Sequence, residues 1–496
     1  MRKFSLPTLS LALSLGAFGV LNSGAQTLPV LAIGTLDQSR AGSFVDVSGL
    51  TYKLENGVRA NELGGFGSAI AYASGNTFLA LPDRGPNAVP FDSAIDDTAS
   101  YINRFHTIKM TLAPNTSGIG LPFTLTPDLK QTTLLWSITP LVYGTGEGLG
   151  VGSGKPPVNN FLQHFFTGRS DKFDPKRNSG NPNDARFDTE GMRLSNDGAR
   201  VYISDEYGPY VYEFDRLTGL RLRSFALPQS FFVPNLSPVG AAEIADNTVG
   251  RTANKGMEGL AITPDGRTLV GIMQNALIQD AKGASKLLRI VTIDIASGRV
   301  THQYGYALTA GSGVSEILAI NDHEFLVDER DGNGRAAQNA AKVKQLFKID
   351  LAGAFDISGL DLPANNPAFL TPAAALSHVV AKTLFLDVVK TLVNNGFDPT
   401  NIPAKIEGIS FGPDVTEGQP SVFSGVFKGT FWESHRGKTV HTLWVANDND
   451  FSSSVALTTA ADSPMIANPN QFFVFAFTDD DLPDFVPQHF FGGFDW

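Results

Sequence analysis

None of the 496 residues is a cysteine. Disulfides, thiolate nucleophiles, zinc–cysteine sites and iron–sulfur clusters are thereby excluded. The eight histidines are scattered and form no His-x-x-x-His pair, which leaves a zinc hydrolase site poorly supported. Only 18% of the residues are charged, and the formal net charge is −11. An acidic balance argues against nucleic acid or an anionic membrane as a general partner and suits a chain that binds cations. Beyond the N-terminus no long apolar run survives. Residues 362–381 are uncharged, but Pro363, Pro367 and Pro372 break them.

Three short motifs also fall short. Glycines at alternate positions from Gly144 to Gly154 lead into Lys155 and then Pro156, where a phosphate-binding loop needs Ser or Thr. Asp331-Gly332-Asn333-Gly334 lacks the spacing and flanking helices of an EF-hand. Gly408-Ile409-Ser410-Phe411-Gly412 matches Gly-x-Ser-x-Gly, but it falls inside a predicted strand, not at a strand–turn–helix junction.

What is present points to a turn-dense all-β chain: 50 glycines, 29 prolines and 36 phenylalanines, the last suited to packing between sheets. The N-terminus reads as an export signal. Arg2 and Lys3 precede an apolar stretch over residues 6–21, and Ser23-Gly24-Ala25 offers small residues for cleavage near Ala25. The expectation is a secreted or periplasmic protein with one domain over residues 26–496, monomeric and without a later transmembrane segment.

The main signal is an internal repeat. Ser48-Gly49-Leu50-Thr51-Tyr52, Glu190-Gly191-Met192-Arg193-Leu194, Glu258-Gly259-Leu260-Ala261-Ile262, Glu316-Ile317-Leu318-Ala319-Ile320 and Glu407-Gly408-Ile409-Ser410-Phe411 open five copies. Four are followed by an Asn-Asp or Pro-Asp turn, and each leads to a second apolar run that ends in a polar cluster such as Asp205-Glu206 or Asp328-Glu329-Arg330. Strand, hairpin, strand, polar loop, strand at this spacing is how propeller blades look in sequence. A β-propeller of five to seven blades is predicted. Six is preferred, with the extra blade drawn from residues 26–47 and part of 111–187. Residues 111–187 and 353–404 read as insertions, the second carrying a helix over about residues 373–393. The run over residues 472–477 is a candidate closing strand.

The first strand of each blade lines the central channel, so its entry recurs at one level. Four copies place Glu there: Glu190, Glu258, Glu316 and Glu407. Facing carboxylates raise one another's pKa or recruit a metal. Calcium suits them, because it accepts 6–8 oxygen ligands with loose geometry. Asp205, Glu206 and Asp328 are candidates to add oxygens. The alternative is structural, with each Glu accepting backbone N–H bonds at its own turn.

Several stretches together resemble the phytase-like family, which is related to β-propeller phytases. These are Asp83-Arg84-Gly85-Pro86-Asn87, Asp188-Thr189-Glu190-Gly191-Met192 with Ser204-Asp205-Glu206-Tyr207, Asn254-Lys255-Gly256-Met257-Glu258-Gly259-Leu260, Asp328-Glu329-Arg330-Asp331, Lys405-Ile406-Glu407-Gly408-Ile409 and Asn447-Asp448-Asn449-Asp450-Phe451. The resemblance implies a calcium-dependent phosphoester hydrolase with metal-activated water in the propeller cleft. It implies Glu190, Asp205, Glu206, Glu258, Glu316, Asp328 and Glu407 as metal ligands. Glu190, Glu258, Arg84 and Arg330 are the implied catalytic groups, and Lys255, Lys405 and Tyr207 the implied contacts to a small phosphoester substrate. A non-catalytic ligand-binding propeller and a metal-assisted esterase or lactonase are the alternatives.

Overall fold

The computed structural model describes residues 28–87, 98–117, 119–144, 154–169, 179–237, 239–415 and 438–491. The expected export signal lies outside them. Five antiparallel four-stranded sheets make the blades. Blade 1 runs outward as Ala69–Ser74, Thr77–Leu81, Arg104–Pro114 and Phe123–Leu134. Blade 2 is Thr189–Leu194, Arg200–Asp205, Tyr210–Asp215 and Arg221–Ala226. Blade 3 is Met257–Ile262, Thr268–Met273, Leu287–Asp294 and Arg299–Ala307. Blade 4 is Gly313–Ala319, Glu324–Arg330, Lys344–Asp350 and Lys382–Asp387. Blade 5 is Lys405–Phe411, His441–Asp448, Asn470–Phe477 and, from the other end of the chain, Val30–Leu36.

The innermost strands pack against one another in order, and the fifth returns to the first, so the ring closes at five blades. The preference for six is therefore corrected. The segments assigned to a sixth blade have other roles. Val30–Leu36 pairs with Asn470–Phe477, Ile33 opposite Phe473, and this pairing joins the two chain ends within blade 5. The first part of the expected insertion, up to Leu134, is instead the long outer hairpin of blade 1.

The repeat register also shifts in blade 1. Residues 48–52 are not its inner strand, which starts at Ala69. Ser68 stands where blades 2, 3 and 5 carry Glu. The helix expected over residues 373–393 is split. Thr383-Leu384-Phe385-Leu386 has the β-type composition that pairs with Lys344–Asp350. It leaves only the short helices Pro372–Leu376 and Val388–Asn394, the second capped by the Asp387 carboxylate on the Lys390 N–H.

Each blade interface has its own apolar cluster, and alternate residues of one strand serve the two neighbouring blades. In blade 4, Leu326 packs toward blade 5 and Val327 toward blade 3. The phenylalanines sit here as expected. Phe78 of blade 1 lies against Trp444 of blade 5, ring centroids 4.5 Å apart. This two-sided burial leaves the strand entries around the channel as the place where polar groups collect.

Candidate metal and anion site at the channel mouth

In blades 2, 3 and 5 the inner strand slips register against its neighbour at the repeat's Glu, as between Thr189 and Met192 or between Ile406 and Ile409, whereas in blade 4 the slip falls one residue earlier, at Ser315, and Glu316 pairs with Asp328. A bulge turns the strand locally and re-aims one side chain. Glycine follows the Glu in three of these blades because the next blade leaves no room for more. A Cβ at Gly191 would stand 2.4 Å from the Leu260 nitrogen, and one at Gly259 would stand 2.7 Å from the Ile317 nitrogen.

The result is a cavity of about 270 Å³ lined by Glu190, Glu258 and Glu407, with Asp83, Glu206, Arg84, Lys255, Arg330 and Lys405. Oxygens of Glu190, Glu206 and Glu258 lie within 4.8 Å of one another. Two further groups meet the same limit, Asp83 with Asp188 and Glu190, and Asp83 with Asp448 and Asp450. Burial, reinforced by the Glu258 carboxylate, holds both Glu190 and Glu206 well above the usual carboxylate range. Burial and the Glu407 charge push Glu258 up to about 8, against the pull of Arg330.

Cations brace the rim. Arg84 Nη1 reaches Asp188 at 3.0 Å and also meets the Asn254 side chain. Arg330 pairs with Glu407 and stands 4.0 Å from Glu258 Oε1. Lys405 lies 3.0 Å from Asp448 and 2.5 Å from Asp450. Lys255 has no ion-pair partner among the described residues.

The residues fit a hard cation. The donors are all oxygen, and Glu258 Oε2 and Asp188 Oδ1 are buried without a hydrogen-bond partner among the described residues. Three carboxylates this close cannot all ionise in a buried pocket without a counter-charge.

Not every expected site residue comes to the mouth. Asp205 Oδ1 accepts the Asp188 and Tyr207 N–H groups and shapes its own turn. The Tyr207 ring is buried between the guanidinium groups of Arg186, at 3.8 Å, and Arg251, at 5.1 Å. Glu316 Oε1 accepts the N–H groups of Leu260 and Ile317, and its other oxygen lies 3.1 Å from Arg193 Nη2. Asp328 is fully buried outside the cavity, and neither of its carboxylate oxygens has a hydrogen-bond partner among the described residues. Conversely, Asp83, Asp188, Asp448 and Asp450 join the acidic groups although sequence reasoning did not select them. All four stood within the motifs that carried the family resemblance.

A five-bladed propeller with an acidic, cation-rimmed mouth is thus the class that fold and site define. Residues 61–451, well over half of the chain, match the phytase-like family, described as esterase-like activity of phytase, and the chain belongs to that family. A protein of Arthroderma benhamiae named "Uncharacterized secreted protein" is 34% identical over 190 residues, covering 32% of this chain and 37% of that relative. The chain therefore spans well under half the length of this relative. Among solved structures, Kuenenia stuttgartiensis hydrazine synthase aligns at 13% identity over 68% of both chains, with a TM-score of 0.26. The Myceliophteria thermophila Cps50 β-propeller domain aligns at 11% identity over 52% of this chain and 51% of its own, with a TM-score of 0.21. Likenesses this slight carry no argument about this chain. Among the described residues no helix is long and apolar enough to cross a membrane.

Proposed function

We propose that this protein is an exported, calcium-dependent phosphoester hydrolase that acts at the channel mouth. The carrying observation is the Glu190–Glu206–Glu258 oxygen cluster, which shares one cavity with four basic side chains. Family membership supports the phosphoester class. The basic, apolar N-terminal segment and the name of the fungal relative support export.

Glu190, Glu206 and Glu258 would hold calcium, with Asp83 and Asp188 next to them. Bound calcium neutralises phosphate charge and lowers the pKa of a water nucleophile. The chain's own cations take the substrate. Lys255 is free to meet a phosphate oxygen as a point charge, while Arg84 and Arg330, fixed by Asp188 and Glu407, present planar donors to the same space.

The test is phosphate release from a panel of phosphoesters, with calcium and then with a chelator, for wild type and Glu258→Gln. Calcium-dependent turnover is expected, with a loss of about a hundredfold or more in kcat/KM for the variant. If no ester turns over while calcium still raises the melting temperature, the hydrolase reading is wrong and the mouth is a binding site.

A further inference from the structure

Arg193 lies three residues beyond Glu190 on the inner strand of blade 2, and its side chain is 5% exposed. The guanidinium crosses the channel. Nη1 donates to the carbonyls of Met192 on its own strand at 2.7 Å and Ile70 of blade 1 at 3.2 Å. Nη2 donates to Ile317 of blade 4 at 2.9 Å and Ile409 of blade 5 at 3.4 Å. Nη2 also lies 3.1 Å from the Glu316 carboxylate, whose other oxygen accepts the Leu260 N–H of blade 3 at 2.9 Å. One ion pair on the channel axis thus bonds to the inner strands of all five blades.

The bond to Leu260 has a particular role. The blade 3 strand shifts register between Met257 and Gly259, so Glu258 occupies the bulge and Leu260 lies just beyond it. In blades 2 and 5 the amide of the glycine inside the bulge is the one held. The Gly191 N–H donates to Ser204 Oγ at 2.7 Å, and the Gly408 N–H to the Gly67 carbonyl at 2.7 Å. In blade 3 the amide held is that of Leu260, already back in register opposite Gly271, and its acceptor is the Glu316 carboxylate of the next blade. Arg193 draws that carboxylate to the axis.

We infer that Arg193 and Glu316 are a positioning pair that fixes the blade 3 bulge and so aims Glu258 into the metal cluster. The inference rests on the calcium reading of the mouth. Neither side chain lines the mouth cavity; Arg193 lines a separate cavity on the opposite side of the ring. They act through the backbone and not by touching the ion. Side chains that orient metal ligands typically change affinity by about 10- to 100-fold when removed.

The experiment compares full-length wild type with Glu316→Ala, Arg193→Met and Glu316→Gln. The control is Arg289→Met, which breaks an equally buried pair with Asp280 at 2.7 Å on the third strand of blade 3. Calcium affinity is read by calorimetry, and amide exchange is read over residues 257–262. Glu316→Ala and Arg193→Met should weaken calcium by about tenfold or more and speed exchange in that segment. Glu316→Gln keeps an oxygen for the Leu260 N–H and should stay within about threefold of wild type on the same scale. Arg289→Met should lower the melting temperature without changing calcium affinity.

Unchanged affinity in Glu316→Ala and Arg193→Met would overturn the inference, as would an equal loss in Arg289→Met. If Glu316→Ala does not fold, Arg193→Met and Glu316→Gln decide on the same readouts. If wild type binds no calcium, the metal reading of the mouth fails on its own. The bulge-fixing role is then judged by exchange, and unchanged exchange over residues 257–262 would sink it.

Discussion

The two ends of the channel are built on opposite terms. At the mouth, carboxylates crowd together, several with raised pKa values, and Glu258 Oε2 has no hydrogen-bond partner among the described residues. At the other end, aromatic side chains and a C-terminal strap close a small cavity. Phe485 lies on Phe411, Phe477 and His441, with centroid distances of 4.5, 5.2 and 4.9 Å. The strap is sewn to three inner-strand hairpins: Val486 N–H to the Ile320 carbonyl at 2.9 Å, Gln488 to the Leu194 carbonyl at 2.9 Å, and Phe490 against Tyr72 with centroids 6.0 Å apart. One end is closed by the chain's own aromatic and backbone contacts, and the other gathers buried carboxylates that call for a counter-charge. In one small ring, that division separates the part that holds the fold from the part that needs a ligand.

The largest test of this contrast is pH. A buried carboxyl whose folded pKa is raised keeps its proton longer in the folded chain than in the unfolded one. Stability is then lost as pH climbs from the ordinary value, about 4.5, through the folded value, about 8 for Glu258. Chelated protein should therefore unfold more easily in urea at pH 8 than at pH 5, by about 3 kcal/mol or more given the several raised groups. Calcium binds the deprotonated form, so it should restore stability at pH 8 far more than at pH 5. A flat pH profile in chelator would mean that the mouth is not frustrated.

Next in size are two substitutions of opposite sign. Glu258→Gln removes a carboxyl that must stay protonated to be buried, so in chelator at pH 7.5 it should stabilise the fold by about 2 kcal/mol while calcium binding falls. Phe485→Ala opens the strap and should destabilise by about 2 kcal/mol, with calcium affinity unchanged. Denaturation midpoints and calorimetry on both variants check the pair. If Phe485→Ala also weakens calcium, the two ends are coupled and the contrast fails.

How much of this was legible in the sequence follows the same division. The blades that open on Glu and a hairpin turn could be read directly, since each carries the residues its bulge and turn demand. Blade 1 could not, because Ser68 replaces the Glu and leaves no tag on the strand. The preference for a sixth blade came from strands whose partners lie far away in the chain: Val30–Leu36 finds Asn470–Phe477 only through ring closure. Within the repeat, one residue separated two roles. Gly191, Gly259 and Gly408 follow the mouth glutamates because a neighbouring strand presses on them. In blade 4 the bulge falls on Ser315, so Glu316 sits one residue further on, opposite Asp328, and turns to backbone amides and Arg193 instead. Sequence alone ranked the four glutamates together because the one-residue displacement of the blade 4 slip shows only in the pairing with its second strand.

The smallest expected effect belongs to the strapped end. His441 Nδ1 lies 2.7 Å from Asp414 and Nε2 lies 3.1 Å from Asp479, with Phe477 and Phe485 on its faces. Burial alone would lower its pKa, but the two carboxylates outweigh burial and hold it above the ordinary value. A raised histidine contributes stability that is fully present below about pH 6.5 and fades as pH rises through the folded value. In chelated protein this is hidden under the larger loss at the mouth, which runs in the same direction. With calcium saturating the mouth, the fall above pH 6.5 comes from His441 together with raised carboxyls that lie outside the cavity, Glu316 at about 7 and Asp328 well above its ordinary value. The His441 share should amount to less than about 1 kcal/mol, because Asp414 and Asp479 face solvent. His441→Gln should remove that share and leave the rest. A slope unchanged by His441→Gln would place the titrating group elsewhere and leave the strap held by its aromatic contacts alone.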